Sequence, residues 1–153
     1  MKLTSMKDII ALEVLQWTKT IIPSIFDNEE DIEVYSSISK ILKIGDNKSY
    51  RVVPVNEFNP YKNIYQALEA LEELAVRDGI EAEIYTYSTN NTIYYEVNIF
   101  FTLSEWKEGE KNYFSFCGRG RVLSKAICKC LMNIYENKPE LLKGEDADAS
   151  MER

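Results

Sequence analysis

The stretch Ala82-Glu-Ile-Tyr-Thr-Tyr-Ser-Thr-Asn-Asn-Thr-Ile-Tyr-Tyr-Glu-Val-Asn-Ile-Phe-Phe101 decides the fold. Ala82, Ile84 and Thr86 alternate with Glu83, Tyr85 and Tyr87; after the polar turn Ser88 to Thr92, Ile93, Tyr95, Val97, Ile99 and Phe101 alternate with Tyr94, Glu96, Asn98 and Phe100. A period of two belongs to strands whose faces differ. The stretch therefore predicts a β-hairpin with one apolar face and one face rich in tyrosine. A third strand follows at Tyr113 to Cys117, with Phe114 and Phe116 on one side, and the short connections make all three strands antiparallel neighbours.

On either side of the strands the period changes to that of a helix. Ile64, Ala67, Leu68, Leu71, Leu74 and Ala75 share one helical face, opposite Glu69, Glu72 and Glu73. Asn63, with Gln66 three residues on, has the spacing of a capping box and is preferred to the alternative cap Asn59 before Pro60, and Gly79 is placed to end the helix. Leu123, Ala126, Ile127, Cys130, Leu131 and Ile134 form the matching stripe of a second helix. The reading is an α+β fold with an antiparallel three-stranded sheet in the order helix, strand, strand, strand, helix. Ile84, Val97, Ile99, Phe114 and Phe116 are expected to be buried against the helices.

The remaining segments attach to this unit. Met6 to Trp17 is apolar on most sides and predicts a buried N-terminal helix, with Pro23 at or after its end. Ser37 to Ile44 and Ser49 to Val55 flank the turn Gly45-Asp-Asn-Lys48, the composition of a small hairpin. That helix and hairpin are expected to cover most of the tyrosine face, leaving Trp106 and one or two tyrosines exposed, and to complete an α/β/α sandwich-like body. Residues 1–136 are read as one domain, and 137–153 as an acidic, disordered tail.

Composition narrows the function classes. The chain has 153 residues, 45% hydrophobic, with a net charge of -7 and no histidine. No apolar run reaches the length of a membrane span, and the N-terminus lacks a signal-peptide pattern, so a cytoplasmic protein is expected. The acidic balance argues against nonspecific attraction to nucleic acid or anionic lipid. Three cysteines, Cys117, Cys128 and Cys130, are too few for a disulfide framework and predict reduced thiols. Cys128 and Cys130 lie about 200° apart around a helix and do not converge on a metal. Without histidine, serine and cysteine triads and histidine-based zinc sites are unavailable. Glu81, Glu83 and Glu96 sit on strands where exposed acids are commonplace, and the acidic run Asp27 to Glu33 lacks the glycine and alternating ligands of a calcium loop. The expectation is a protein without catalytic residues, cofactor or metal.

Two surfaces remain as candidates. Gly118, Arg119, Gly120 and Arg121 lead into the last helix with Lys125, and glycines, free helix amides and positive charge together suit an anion; the plainer reading is a strand-to-helix turn whose arginines pair with nearby acids. Tyr85, Tyr87, Tyr94, Tyr113 and the loop residue Trp106 form an aromatic set suited to a protein interface.

Several motifs carry a family resemblance. The N-terminal Ala11-Leu-Glu-Val-Leu-Gln-Trp17, Phe58-Asn-Pro-Tyr-Lys-Asn-Ile64 with the helix Gln66-Ala-Leu-Glu-Ala-Leu-Glu-Glu-Leu74, and Cys117-Gly-Arg-Gly120 with Ala126-Ile-Cys-Lys-Cys-Leu131 resemble the phage ABA sandwich domain family across most of residues 6–136. The acidic insertion at Asp27 to Glu33, the charged tail and Arg121-Val-Leu123 before the last helix depart from it. The resemblance implies a small phage or prophage protein with helices laid on a sheet, and no defined activity. Helix, three strands and helix is also the layout of double-stranded RNA-binding domains, but the basic residues expected at the last helix start are reduced here to Lys125 and Lys129.

Two functions are expected from these readings. One is binding to a host or phage protein, including inhibition of a bacterial antiviral system. The alternative is binding or sequestering of a small ligand such as a signalling nucleotide by Arg119, Arg121 and Lys125. Self-association to a homo-oligomer is a further expectation.

Overall fold

In a computed structural model, residues 5–24, 30–37, 51–103 and 112–143 are described. The chain is α+β, with two three-stranded antiparallel sheets among the described residues. No helix among the described residues is long and apolar enough to cross a membrane.

The sheet expected from alternation is present. β4 (Ile80–Thr89) and β5 (Thr92–Thr102) pair along their whole length, and β6 (Tyr113–Gly120) pairs with β5 from Thr102↔Tyr113 to Tyr95↔Gly120. Asn90 and Asn91, both with positive φ, make the two-residue turn between β4 and β5. Two left-handed residues give the turn whose twist matches a hairpin, and asparagine tolerates that conformation.

α2 (Ile64–Ala75) begins where expected: the Asn63 side chain accepts from the amides of Tyr65 and Gln66. Its stripe buries Ala67, Ala70, Leu71 and Leu74. α3 (Leu123–Asn137) buries Ala126, Ile127, Cys130, Leu131 and Ile134, and also Cys128. Both helices lie on the sheet face that carries Val97, Ile99 and Phe101, which are almost completely buried. Fully burying each such side chain is worth roughly 1.5–3 kcal/mol. Gly118 lets α3 approach β6 closely. A Cβ there would lie 2.3 Å from the Ala126 carbonyl oxygen and 2.4 Å from the Cys130 amide nitrogen.

The N-terminal segment is helical but shorter than Met6 to Trp17. α1 (Met6–Ile9) widens into a π turn over Ile10–Val14, with the Leu15 amide bonded to the Ile10 carbonyl, and Gln16 adopts a positive φ. The wider turn suits the sequence because Ile10, Ala11, Val14 and Leu15 can then all face the core, where each is buried. This unit rests on α2 and α3 rather than on the tyrosine face.

A second sheet is formed by strands the sequence reading did not anticipate, together with Val52–Pro54 of the expected small hairpin. β1 (Thr18–Ile22) occupies the span before Pro23, β2 (Ile32–Ser36) pairs with it, and β3 (Val52–Pro54) pairs with β2. The partner of Val53 in this sheet is Tyr35. The anticipated turn Gly45 to Lys48 and most of Ser37 to Ile44 lie outside the described residues. β2 is drawn in by Tyr35, whose ring packs edge-on against Phe58 at 5.3 Å while Trp17 meets Phe58 at 5.6 Å. The Tyr35 hydroxyl donates to Asp8 of α1.

Two further expectations change. The ordered body continues past residue 136: Pro139–Leu142 form a 3-10 turn, Leu142 is fully buried, and its carbonyl accepts from Arg77 Nη1 at 2.7 Å and Gln16 Nε2 at 3.3 Å. Residues 144–153 lie outside the described residues. Ile84, expected in the core, is 42% exposed. It sits on the helix-side face opposite Val97, but on edge strand β4, where cover ends after half-buried Ile80 and Ala82.

Candidate functional site

The face of β4-β5-β6 turned away from the helices is open. Among the described residues no element packs over it. Alternation places Glu81, Glu83, Tyr85 and Tyr87 of β4, Tyr94, Glu96, Asn98 and Phe100 of β5, and Tyr113, Cys117 and Arg119 of β6 on this one side. Tyr85 is 48%, Tyr87 39% and Tyr113 44% exposed. The N-terminal helix does not supply the expected cover, because it is bound to α2 and α3 and its apolar residues are used there, and residues 38–50 of the anticipated hairpin lie outside the described residues.

The aromatic side chains are ordered by their cross-strand neighbours. Tyr87 and Tyr94 are register partners whose rings stack at 5.5 Å, and Phe100 stacks with Tyr113 at 6.2 Å. Offset aromatic pairs of this kind add about 0.5–1.5 kcal/mol beyond area burial and restrict the rings' motion. The Tyr85 hydroxyl donates to Glu83, and this bond to a carboxylate raises the phenol's pKa. Between the two stacked pairs lies a polar strip. Glu96 accepts from Asn98 Nδ2 at 3.1 Å and from Arg119 Nε at 2.6 Å. The hydrogen bonds from Asn98 and Arg119 hold the Glu96 carboxyl below its ordinary pKa, and Glu96 in turn raises that of Arg119.

An open hollow of about 450 Å³ lies at one end of the face, lined by Gly79, Glu81, Glu83, Phe100, Thr102 and Tyr113. Its polar walls are the two glutamates and its apolar walls the stacked Phe100 and Tyr113. Both carboxylates lack a basic partner among the ion pairs of the described residues, whereas Glu96 is matched by Arg119. The face therefore presents aromatic area with surplus negative charge at its Glu81–Glu83 end.

The residues 118–121 and Lys125 do not converge. Gly118, Arg119 and Gly120 belong to β6 rather than to a turn. The Gly118 Cα faces α3, while the Arg119 side chain crosses to the opposite side and pairs with Glu96. Arg121 is exposed, and the Lys125 ammonium lies over the Tyr61 ring at 5.2 Å. At the start of α3 Val122 provides no side-chain cap, and the Ser124 hydroxyl donates to the Tyr61 carbonyl at 2.9 Å. Of the aromatic candidates, Tyr85, Tyr87, Tyr94 and Tyr113 share the open face, and Trp106 lies outside the described residues.

The thiols are free and divided in character. Burial pushes Cys128 and Cys130 up to about 12, while half-buried Cys117 lies on the open face and is raised by burial and by Glu96. Among the described residues no group of three histidine, cysteine, aspartate or glutamate side chains is placed to hold a metal.

Glu81, Glu83, Glu96, Asn98 and Cys117 were not singled out as a binding surface from the sequence. The register supplies what was missing. Once Asn90 and Asn91 are the turn, every opposite pair of β4 and β5 on the face follows by counting outward, and the pairing of β6 with β5 adds Cys117 and Arg119. Comparisons of the chain with protein-family models, with curated proteins and with solved structures find no match.

Proposed function

We propose that this chain is a non-catalytic binding protein that docks a partner protein on the open face of β4-β5-β6. The observation that carries this reading is a sheet with helices packed on one face and, among the described residues, nothing over the other, where Tyr85, Tyr87 and Tyr113 stand exposed beside Glu81 and Glu83. Tyrosines on a rigid sheet offer large apolar area with a polar tip and little entropy to lose on binding. The surplus carboxylates select a partner whose contact surface is basic, and the net charge of -7 would steer such a partner in. In the phage or prophage setting implied by the sequence resemblance, the partner is a host or phage protein, and blocking an antiviral system of the host is one outcome of such docking.

Binding of a small anionic ligand is the weaker reading. Its three cations are dispersed, with Arg119 neutralised by Glu96 and Lys125 held over Tyr61. The test is affinity capture from a bacterial lysate with the wild type and with Tyr85→Ala/Tyr87→Ala/Tyr113→Ala. The proposal expects a basic protein retained by the wild type and lost from the triple variant. A partner retained equally by both, or calorimetric heat with a nucleotide that vanishes in Arg119→Ala, would contradict it.

A further inference from the structure

The hydrogen-bonding pattern of the hairpin shows what the free edge of β4 offers. Among the described residues β4 is an outer strand, paired on one side only. The Thr102 amide donates to the Gly79 carbonyl, and the register runs unbroken from Ile80↔Phe101 to Thr89↔Thr92. In an antiparallel ladder the bonded residues alternate. Gly79 and the odd-numbered residues of β4 therefore bond to β5, and Ala82, Ile84, Thr86 and Ser88 direct their amides and carbonyls outward, while the Ile80 amide is already bonded to the Arg77 carbonyl. None of these is proline, and β4 carries no lysine or arginine to deter pairing.

We infer that this edge pairs with the same edge of a second copy, antiparallel across a two-fold axis at Ile84, to give a continuous six-stranded sheet. The charges of β4 select the register. With Ile84 opposite Ile84 of the second copy, Glu83 faces Tyr85 and Glu81 faces Tyr87, so no carboxylate faces another. Moving the axis to Ala82 sets Glu81 against Glu83, and moving it to Glu83 sets that residue against itself, each a repulsive contact. An axis at Tyr85 also avoids like charges but leaves Ile84 opposite Thr86. The axis at Ile84 alone among these brings the two exposed isoleucines together on the helix-side face, where the cover of α2 and α3 stops short.

Opposite residues of an antiparallel pair point to the same side of the sheet. The two open faces then form one surface, doubling the tyrosine area without depending on what that surface binds. Pairing through β4 and partner docking are separable properties.

Sedimentation velocity over a range of concentrations tests the inference with the full chain. The wild type is expected to reach twice the monomer mass. Ile84→Lys sets two ammonium groups opposite each other at a position already exposed, and Thr86→Pro removes an outward amide while leaving the bonds to β5. Each should weaken dimerisation by about tenfold or more, with far-ultraviolet circular dichroism unchanged; if Thr86→Pro does not fold, Ile84→Lys decides. In a Cys117→Ser background, Ile84→Cys should form an intermolecular disulfide on mild oxidation, since the paired Cα atoms would stand about 5.5 Å apart. A wild type that stays monomeric at high micromolar concentration, a dimer undiminished in folded Ile84→Lys, or a dimer that does not cross-link at Ile84→Cys would overturn the inference.

Discussion

The two faces of β4-β5-β6 are built from the same three strands and have opposite fates. On one, Val97, Ile99 and Phe101 are buried beneath α2 and α3; on the other, their chain neighbours Glu96, Asn98 and Phe100 are only half-buried beside four tyrosines, with no element of the described residues over them. The difference shows that aromatic content alone does not mark a core. Phe101 makes an edge contact with Phe116 inside the helix layer, whereas Phe100 stacks on Tyr113 at the surface. What separates them is one residue of register, which in a strand changes the face entirely.

Substitution should expose this contrast most strongly on the sealed face. Ile99→Ala removes a completely buried side chain and is expected to cost about 2–5 kcal/mol, lowering the thermal midpoint by roughly 10 °C. A midpoint within a degree of wild type would show that this face is not sealed. Gly118→Ala follows, because the added methyl group meets backbone of α3; overpacking of this kind costs about 1–3 kcal/mol, and denaturant unfolding measures it. A cap is a smaller matter. Asn63→Ala leaves the Tyr65 and Gln66 amides without their acceptor and should cost about 1 kcal/mol.

Acid stability sharpens the comparison from outside the sheet. Burial acts to raise the Asp8 carboxyl, but hydrogen bonds from Tyr35 and Lys19 outweigh it and leave the pKa below its ordinary value. Its stabilising contribution is complete above the unfolded-state value and is lost as pH falls through the lower folded one. Asp8→Asn should therefore flatten the acid limb of a stability-against-pH curve, and an unchanged limb would count against the Asp8–Tyr35 link. The smallest effect concerns thiols. Native protein should react with a thiol reagent at Cys117 first, with Cys128 and Cys130 following only on unfolding. Simultaneous reaction of all three would place α3 elsewhere.

Most of the main unit was legible because its periods are strong. The α2 and α3 stripes, the Asn63 cap and the alternation from Ala82 to Phe101 each follow from residue type and spacing. Ile84 was misread because alternation assigns a face but does not say where the helices covering that face end. Thr18-Lys-Thr-Ile-Ile22 escaped notice as a strand although four of its five residues are β-branched; the apolar pattern before it suggested a longer helix, and the π turn absorbed that pattern in fewer residues. Leu141 and Leu142 were hidden as a lone apolar pair in a charged tail. Their burial depends on Arg77 and Gln16, distant residues that hold the Leu142 carbonyl. The aromatic part of the open face was visible in advance, while its polar partners emerged only with the register.

The unfolding midpoint of Tyr85→Ala tests most directly whether the second face is free to act, because Tyr85, unlike Tyr87 and Tyr113, belongs to neither stacked pair. If its ring stands on an open surface, the replacement costs about 0.5 kcal/mol or less, and the variant melts close to wild type and far above Ile99→Ala. A Tyr85→Ala variant that melts as low as Ile99→Ala would mean that the ring is part of a covered core, and the account of an outward-facing docking surface would fail.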